Sequence, residues 1–307
     1  MLTFNTITAS DQKLIENFVN KFLPYSDFNF VSIFSWSKHS SAKYCITNNC
    51  LFLILPDYIT NKPIFTFLCD DNYRQNLNLY ILWLQLNSHE IKFNLLPQTV
   101  VKGLEKDLSN EADKWILYEE RDSFDYILDT RLTTSMEGNK YSDFRYKLSL
   151  FDRTYNGKIE IGDFDPNNKN HTKMALALGK NWALNRNQDI NYYKDELLAY
   201  SRFFKIATKK PSIGYAALYT NKKLIALASF EIINKKYAIG HFLKFNPEYK
   251  GVYNKLVYEV CKTLTIKNIN LINIEQDLGI QGLRSAKSHL RPVNYLKKYS
   301  LSLIDRN

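Results

Sequence analysis

The sequence is poor in the residues that break or staple a chain. Ten glycines and eight prolines are scattered through 307 residues. No Gly/Ser, Pro-rich or single-residue tract occurs, which excludes a long disordered linker and a low-complexity tail. Only four cysteines occur, Cys45, Cys50, Cys69 and Cys261. None has metal-ligand spacing. Cys45 and Cys50 could bracket a hairpin, but the chain does not read as a disulfide scaffold. Long apolar runs are missing too: the most apolar helical piece spans 79–86, against about 20 residues needed to cross a bilayer. The N-terminus, Met1-Leu-Thr-Phe-Asn-Thr, lacks the basic region and apolar core of a secretory signal. No serine-centred elbow and no His/Cys/Asp grouping with metal spacing is present. The expectation is a cytoplasmic protein with no metal and no transmembrane segment.

What the chain does contain is apolar and basic. Hydrophobic residues make up 45% and aromatic residues 14%, enough to fill a sizeable core. The length allows two domains of ordinary size. A formal net charge of +10 points to a polyanionic partner such as nucleic acid, an anionic membrane or a nucleotide cofactor. A composition rich in Lys, Asn, Ile and Tyr together also arises from AT-biased codons, so the charge alone does not choose.

Hydrophobic periodicity divides the chain into two similar halves. The first predicts a strand at 2–8, helices at 11–22 and 28–36, strands at 43–47, 50–56 and 63–69, a helix at 73–88, a strand at 91–96, a helix at 99–107 and a strand at 115–120. Asn48-Asn49 is a tight-turn signal between the first two meander strands. The second predicts a strand at 158–164, helices at 173–184 and 192–204, and strands at 214–220, 224–232 and 237–245. A helix at 252–264, a strand at 269–274, a helix at 282–290 and a strand at 298–304 follow. The polar stretch 132–155 predicts a helix joining the halves, with Arg145 and Lys147 exposed. The expected domains are 1–130 and 131–307, and the class is α/β (α+β): mixed sheets covered by helices.

One stretch carries most of the chemistry. Behind the buried strand 269–274 come Asn273, Glu275 and Asp277, a turn with Gly279 and Gly282, and a short helix ended by Pro292. On that helix Arg284, Lys287 or Ser288, and Arg291 are spaced to share one face. Carboxylates at a strand's end beside a helix N-terminus and a basic stripe suit a charged substrate. The same residues also serve as helix caps with a solvated face.

The order of elements resembles the acyltransferase fold of the GNAT superfamily, whose fourth and fifth strands splay apart to admit the donor. Here those strands are 237–245 and 269–274. The motif Asn273-x-Glu-Gln-Asp-Leu-Gly-Ile-x-Gly-Leu-Arg-x-Ala-Lys, ending at Arg291-Pro292, resembles the signature of a bacterial family that shares the C-terminal domain of phosphatidylglycerol lysyltransferase. Asn29-Phe-x-Ser-Ile-Phe-Ser-Trp36 is similar to that family's N-terminal aromatic element. Glu120-Arg-Asp-Ser-Phe-Asp-Tyr-Ile127 with Gly138-x-Lys-Tyr141 is similar to its mid-chain element, and His241-Phe with Asn246-Pro-Glu-Tyr-Lys-Gly251 to its approach to the signature. The resemblance implies two tandem GNAT-like domains. It also implies transfer of an aminoacyl group from charged tRNA, or of an acyl group from acyl-CoA, to an amine or hydroxyl acceptor. That acceptor is a small molecule, a peptide or a lipid headgroup. The alternative is a non-catalytic module of the same fold that binds a nucleic acid or an amino-acid-like ligand.

Such a transfer needs a base for the attacking group, donors for the oxyanion and a means of holding the reactants together. Oxyanion donors are expected on the backbone near 240–243. Asp277, nearer the turn, is preferred to Glu275 for binding the acceptor ammonium or relaying its proton. His241 is either a core residue or a third catalytic group. Asn273, Arg284, Lys287 and Arg291 are candidate substrate contacts, Arg being suited to carboxylates and phosphates. Asp125, in an acidic cluster with Asp122 and Asp129, is a candidate for an amino group. Acyl-CoA would need a glycine-rich helix N-terminus for its pyrophosphate. The second half offers Lys250 and Gly251 at that place; the first half offers Asp70-Asp-Asn-Tyr-Arg74, whose acids repel it.

Overall fold

A computed structural model describes residues 1–37, 41–57, 60, 62–107, 114–185 and 193–304. In chain order the first half holds β1 (Asn5–Thr6), α1 (Gln12–Val19), α2 (Phe30–Trp36), β2 (Lys43–Thr47), β3 (Cys50–Pro56), β4 (Pro63–Cys69), α3 (Tyr73–Leu86), β5 (Lys92–Pro97), α4 (Gln98–Asp107) and β6 (Trp115–Glu119). Then come β7 (Asp125–Asp129), α5 (Thr130–Ser135), α6 (Ser142–Tyr155), β8 (Glu160–Gly162), α7 (Lys169–Leu184), α8 (Lys194–Ala207), β9 (Ile213–Thr220), β10 (Lys223–Ile232), β11 (Tyr237–Phe245), α9 (Val252–Ile266), β12 (Leu271–Asn273), α10 (Gln281–His289), β13 (Asn294–Leu296) and β14 (Lys298–Leu303). The predicted start of α8 at Tyr192 lies outside the described residues.

The hairpin turns follow from local chemistry. Asn48 and Asn49 between β2 and β3, and Asn221 and Lys222 between β9 and β10, all have positive φ. Two consecutive left-handed residues make the two-residue turn whose twist matches the flanking strands, and Asn tolerates that conformation best after Gly.

The chain folds as two compact units. One comprises Met1–Asp125, Gln276–Gly279 and Leu296–Asn307; the other comprises Tyr126–Glu275 and Ile280–Tyr295. The first unit holds a sheet of order β1-β2-β3-β4 and a second of order β5-β14-β6. Its core is aromatic: Tyr80 on α3 meets Phe52, Phe67 and Phe93 edge-on at centroid distances of 5.4, 6.5 and 5.4 Å. The buried Tyr80 hydroxyl donates to the Leu53 carbonyl at 2.7 Å. Each ring pair of this kind adds about 0.5–1.5 kcal/mol beyond the area it buries.

The second unit holds one seven-stranded sheet, β13-β7-β12-β11-β10-β9-β8. Leu256, Val260 and Leu264 of α9 pack in one core with Phe144 and Phe151 of α6, Leu218, Ile225 and Phe230. The stretch read from sequence as a joining helix is therefore part of this unit. Alternation of Phe144, Leu148 and Phe151, all buried, gives α6 an apolar face that it spends on the core.

The elements predicted in each half occur in the expected order; β7 and β13 are additional strands, and β14 pairs outside its expected domain. β14, expected in the second domain, lies between β5 and β6 of the first unit; β7 lies between β12 and β13 of the second. Each unit takes the strand beside its fifth from the other half of the sequence. Periodicity does not say which sheet a strand joins, and β7, buried at four consecutive positions, shows no alternation. The architecture is α/β, with mixed sheets covered by helices.

Candidate active site

The second unit places its polar groups where β11 changes course. β11 pairs in parallel with β12 for three positions, Tyr237 with Leu271, Ala238 with Ile272 and Ile239 with Asn273, and then pairing stops. On its other edge β11 pairs with β10 throughout, with Phe230 opposite Gly240 and Ser229 opposite Phe242. His241 is thus the extra residue of a β-bulge, and a bulge re-aims side chains and increases local twist. Because of it, consecutive residues His241 and Phe242 both meet Phe203 of α8, at ring distances of 5.7 and 5.3 Å. Strict alternation of His241 with Ile239 and Leu243, the pattern visible in the sequence, is broken there.

The bulge delivers His241 to two carboxylates. Its Nε2 is 3.3 Å from Glu231 Oε2 on β10, and its Nδ1 is 4.0 Å from Glu275 Oε1. Glu231 Oε1 accepts Lys210 Nζ at 2.7 Å, and both of those side chains are at least nine-tenths buried. Burial would push the Glu231 carboxyl up, but the His241 hydrogen bond and charge, with Lys210, outweigh it and hold the group below its usual range.

Glu275 itself is held in an unusual backbone state. Its φ is +61°, which costs a non-glycine residue on the order of 1–3 kcal/mol. Asn273, fully buried at the end of β12, accepts the Glu275 N–H at 2.7 Å. Tyr126 donates to the Glu275 carbonyl at 3.2 Å and accepts from the Ile274 N–H at 2.9 Å. Lys287 Nζ donates to the Ile274 carbonyl at 2.6 Å. Asn273 and Lys287, expected as substrate contacts, build the turn that aims Glu275.

The expected basic stripe does not form. Arg284 lies on α10 and is half-buried. Arg291 falls beyond the end of α10 with φ +60°, and its Nε donates to the Lys140 carbonyl at 2.8 Å. A left-handed residue after a helix leaves the helical register, so the i+7 spacing no longer puts Arg291 on the face of Arg284.

Asp277 and Asp125 belong to the first unit, whereas Glu275 and His241 belong to the second. Asp277 is fully buried; its Oδ1 accepts the Gly279 N–H at 2.9 Å and its Oδ2 faces Arg121 at 3.4 Å. Gly279 has φ +72°, and a Cβ there would stand 2.7 Å from Asp122. Asp277 is therefore engaged in fastening the signature turn. Asp125 accepts from the Ser26 N–H and hydroxyl at 2.8 and 2.7 Å and pairs with Lys298 at 2.8 Å. Lys298 also pairs with Asp27 and donates to Gln276 at 2.8 Å. Of the other acids in that cluster, Asp129 caps α5 by accepting the Leu132 N–H at 2.9 Å.

At the place expected for coenzyme A, Gly251 packs against α6. Gly251, with φ +81°, would put a Cβ 2.7 Å from the Lys147 carbonyl of α6. Its smallness serves helix packing. Lys250 is exposed, and its N–H donates to the Tyr155 hydroxyl at 3.1 Å. The N–H groups of Glu248 and Tyr249 go to Asn246 and that of Val252 to Tyr249. A pyrophosphate cradle needs such donors pointing outward, and these four N–H groups are taken up by the protein instead. In the first unit Asp70 and Asp71 precede α3, with Asp70 paired to Lys21 at 3.0 Å.

Sequence reasoning missed Glu231, Lys210, Lys298 and Asp27. Glu231 had a signal: it is the one acid in the apolar run of β10, and a charge in a buried strand calls for a partner. Lys210 and Asp27 had none, because their partners are distant in sequence.

Residues 97–302 match the family profile of the phosphatidylglycerol lysyltransferase C-terminal domain. No curated protein matches the sequence. Among solved structures, a conserved protein of unknown function from Bacteroides thetaiotaomicron is 22% identical, with 99% of this chain and 100% of that one covered at a TM-score of 0.83. The C-terminal domain of a putative lysylphosphatidylglycerol synthetase from Agrobacterium fabrum is 12% identical over 95% and 91% of the two chains, at a TM-score of 0.64. L-PGS from Bacillus licheniformis is 12% identical over 96% and 92%, also at 0.64. At these identities the likeness is one of fold.

Proposed function

We propose that this chain, which belongs to the family of the phosphatidylglycerol lysyltransferase C-terminal domain, transfers an aminoacyl group from charged tRNA to a nucleophilic acceptor. The family is one of aminoacyl and acyl transferases. The observation that carries the reading is the parting of β11 from β12 at Ile239, with His241, Glu231 and Glu275 gathered at that point. An opening between strands admits an acyl donor, and the three groups supply a base and a cation-binding carboxylate.

The β11–α9 loop argues for the donor. The N–H groups of Glu248, Tyr249, Lys250 and Val252 are committed to Asn246, Tyr155 and Tyr249, which disfavours acyl-CoA and leaves an aminoacyl ester as the better substrate. The net charge of +10 suits a polyanionic donor. The names of the Agrobacterium and Bacillus structures refer to lysylphosphatidylglycerol synthesis, which is aminoacyl transfer in chemical terms. Among the described residues no helix is long and apolar enough to cross a membrane. A lipid headgroup therefore stands beside small molecules and peptides as an acceptor.

The test is a transfer assay on the full chain, with tRNA charged by a mixture of labelled amino acids and with pooled amine and hydroxyl acceptors. Acceptor-dependent loss of the tRNA ester, with label in a new product, supports the reading. Binding of tRNA without turnover would make the chain a binding module. Turnover of acyl-CoA instead would overturn the donor.

A further inference from the structure

We propose that Cys50 and Cys69 of the first unit form a dithiol that a hydroperoxide converts reversibly into a disulfide. All four cysteines are free thiols, and none of them enters the site described above.

The sheet register selects the pair. Cys50 opens β3, Cys69 closes β4, and the two stand directly opposite each other in the antiparallel ladder. Opposite residues point to one face of a sheet, with Cα atoms about 4.5 or 5.5 Å apart. Both spacings fall inside the roughly 4.4–6.8 Å that a disulfide spans. The Cys50 thiol is hydrogen-bonded to that of Cys69. Cys45 shares their face but stands opposite Phe52, one diagonal step from Cys50. Diagonal neighbours lie about 7–8 Å apart, beyond the reach of a disulfide without backbone movement. The two cysteines that bracket the hairpin in sequence are therefore not the pair; Cys261 lies on α9 in the second unit.

The position of the pair sets its reactivity. Both side chains are closed to solvent. Burial, with the hydrogen bond to Cys69, pushes the Cys50 thiol up and keeps it protonated and inert in the closed sheet. Solvent is one residue away: Thr47, opposite Cys50, and Asn48, Asn49 and Asp70 are all exposed. The pair is the last rung of the β3–β4 ladder, beside the last rung of β2–β3. Buried Asn76 of α3 ties this end with two long bonds, its Nδ2 donating to the Asn48 and Asp71 carbonyls at 3.4 Å each. Strand ends open locally at a small fraction of the global unfolding free energy, and oxidation runs through that opening. A hydroperoxide is the oxidant because it is small and uncharged.

The step balances. β4 is the outermost strand of its sheet among the described residues, so its end frees Cys69 first. The Cys69 thiolate attacks one peroxide oxygen; the S–O bond forms, the O–O bond breaks, and hydroxide leaves with the thiol's proton as water. The Cys50 thiolate then attacks the sulfenic sulfur. The S–S bond forms, the S–O bond breaks, and a second water leaves with the second proton. Two thiols and one hydrogen peroxide give one disulfide and two waters, and the two electrons lost by sulfur reduce the peroxide.

The experiment treats the reduced full chain with hydrogen peroxide, alkylates the remaining thiols and maps the digest by mass spectrometry. We expect two of its four thiols to be lost, one linked peptide joining Cys50 to Cys69, and full recovery with dithiothreitol. The linked chain should melt several degrees higher, because the bond closes the loop 50–69 in the unfolded state. The double variant Cys45→Ala/Cys261→Ala should behave like the wild type, and Cys69→Ala should form no link and gain no melting temperature on oxidation. Four intact thiols at a peroxide concentration that oxidises the chain in urea overturn the proposal. So does a link through Cys45 or Cys261, or a Cys50–Cys69 link that lowers the melting temperature, since that bond would not fit the native register.

Discussion

Lys298 Nζ stands 2.8 Å from Asp125 Oδ1, and neither side chain is touched by solvent. Asp27, Ser26 and Gln276 complete the set, which draws on the turn before α2, the mid-chain element, the signature and the last strand. Removing the lysine would leave two buried carboxylates without their cation. Lys298→Met should cost about 3–5 kcal/mol in denaturant unfolding. Burial pulls the Lys298 pKa down, but Asp125 and Asp27 more than reverse it and hold it above its usual 10.5. The contribution is therefore complete below pH 10.5 and fades as pH rises through the higher folded value. Asp27 is pushed up by burial despite Lys298 and is the weaker partner, so Asp27→Asn should cost less than Asp125→Asn.

Gly251 is a packing residue at the start of α9. Gly251→Ala combines a φ of +81° with a 2.7 Å approach to the Lys147 carbonyl. It should destabilise the chain by about 1–3 kcal/mol. Acetyl-CoA should leave the melting temperature of the wild-type chain unchanged at millimolar concentration. A rise of several degrees would show that the β11–α9 loop opens to a pyrophosphate.

Much of the fold was legible because its signals are local. Short apolar runs bounded by turn signals marked the β2–β3–β4 and β9–β10–β11 meanders, and Asn48-Asn49 marked a turn that needs two left-handed residues. The exchange of β7 and β14 was not legible: β7 is a short run buried on both faces, and a strand's own pattern does not name its sheet. The nearness of His241 and Glu275 follows from their place on and just beyond two neighbouring strands. The role of Asp277 could not, because a carboxylate two residues before a glycine reads alike whether it meets a substrate or caps its own turn. The stripe of Arg284, Lys287 and Arg291 failed where helical spacing was carried past the end of α10. Lys287 also reaches back to the Ile274 carbonyl, a contact that no periodicity reports.

Glu231 offers a pH test of the buried pair. Its folded pKa lies below its unfolded value of 4.5. The stability it contributes is thus present above pH 4.5 and is lost as pH falls through the lower folded value. The difference in melting temperature between wild type and Glu231→Gln should be constant from about pH 6 to 8 and should shrink below pH 4.5. A difference independent of pH down to acid unfolding would mean that the carboxylate is not held ionised by His241 and Lys210.

Glu275 and Asp277, two residues apart, should answer differently to loss of charge. Asp277→Asn keeps an oxygen for the Gly279 N–H but loses the charge facing Arg121. Its expected effect is a stability loss of about 1–3 kcal/mol with turnover per folded molecule nearly unchanged. Glu275→Gln keeps the turn, which depends on backbone bonds to Asn273 and Tyr126, and should lower turnover with little change in melting temperature. The reverse pattern would place Asp277 at the chemistry and Glu275 in the scaffold.

The last strand makes the strongest structural prediction. β14 pairs with β5 through Lys298, Tyr299, Leu301 and Ser302 and with β6 through Tyr299 to Leu303. In that sheet β5 and β6 have no other strand partner among the described residues. A chain ending at Leu296 would expose two inner strand edges at once, and it would leave Asp27 and Asp125 buried without Lys298. Strand edges of this kind template aggregation. The truncated chain should lose cooperative unfolding and precipitate, and limited proteolysis should cut within the first unit. Adding the missing strand as a separate peptide should restore protection there. A truncated chain that unfolds cooperatively at the wild-type midpoint would mean that β14 contributes nothing to the sheet it completes.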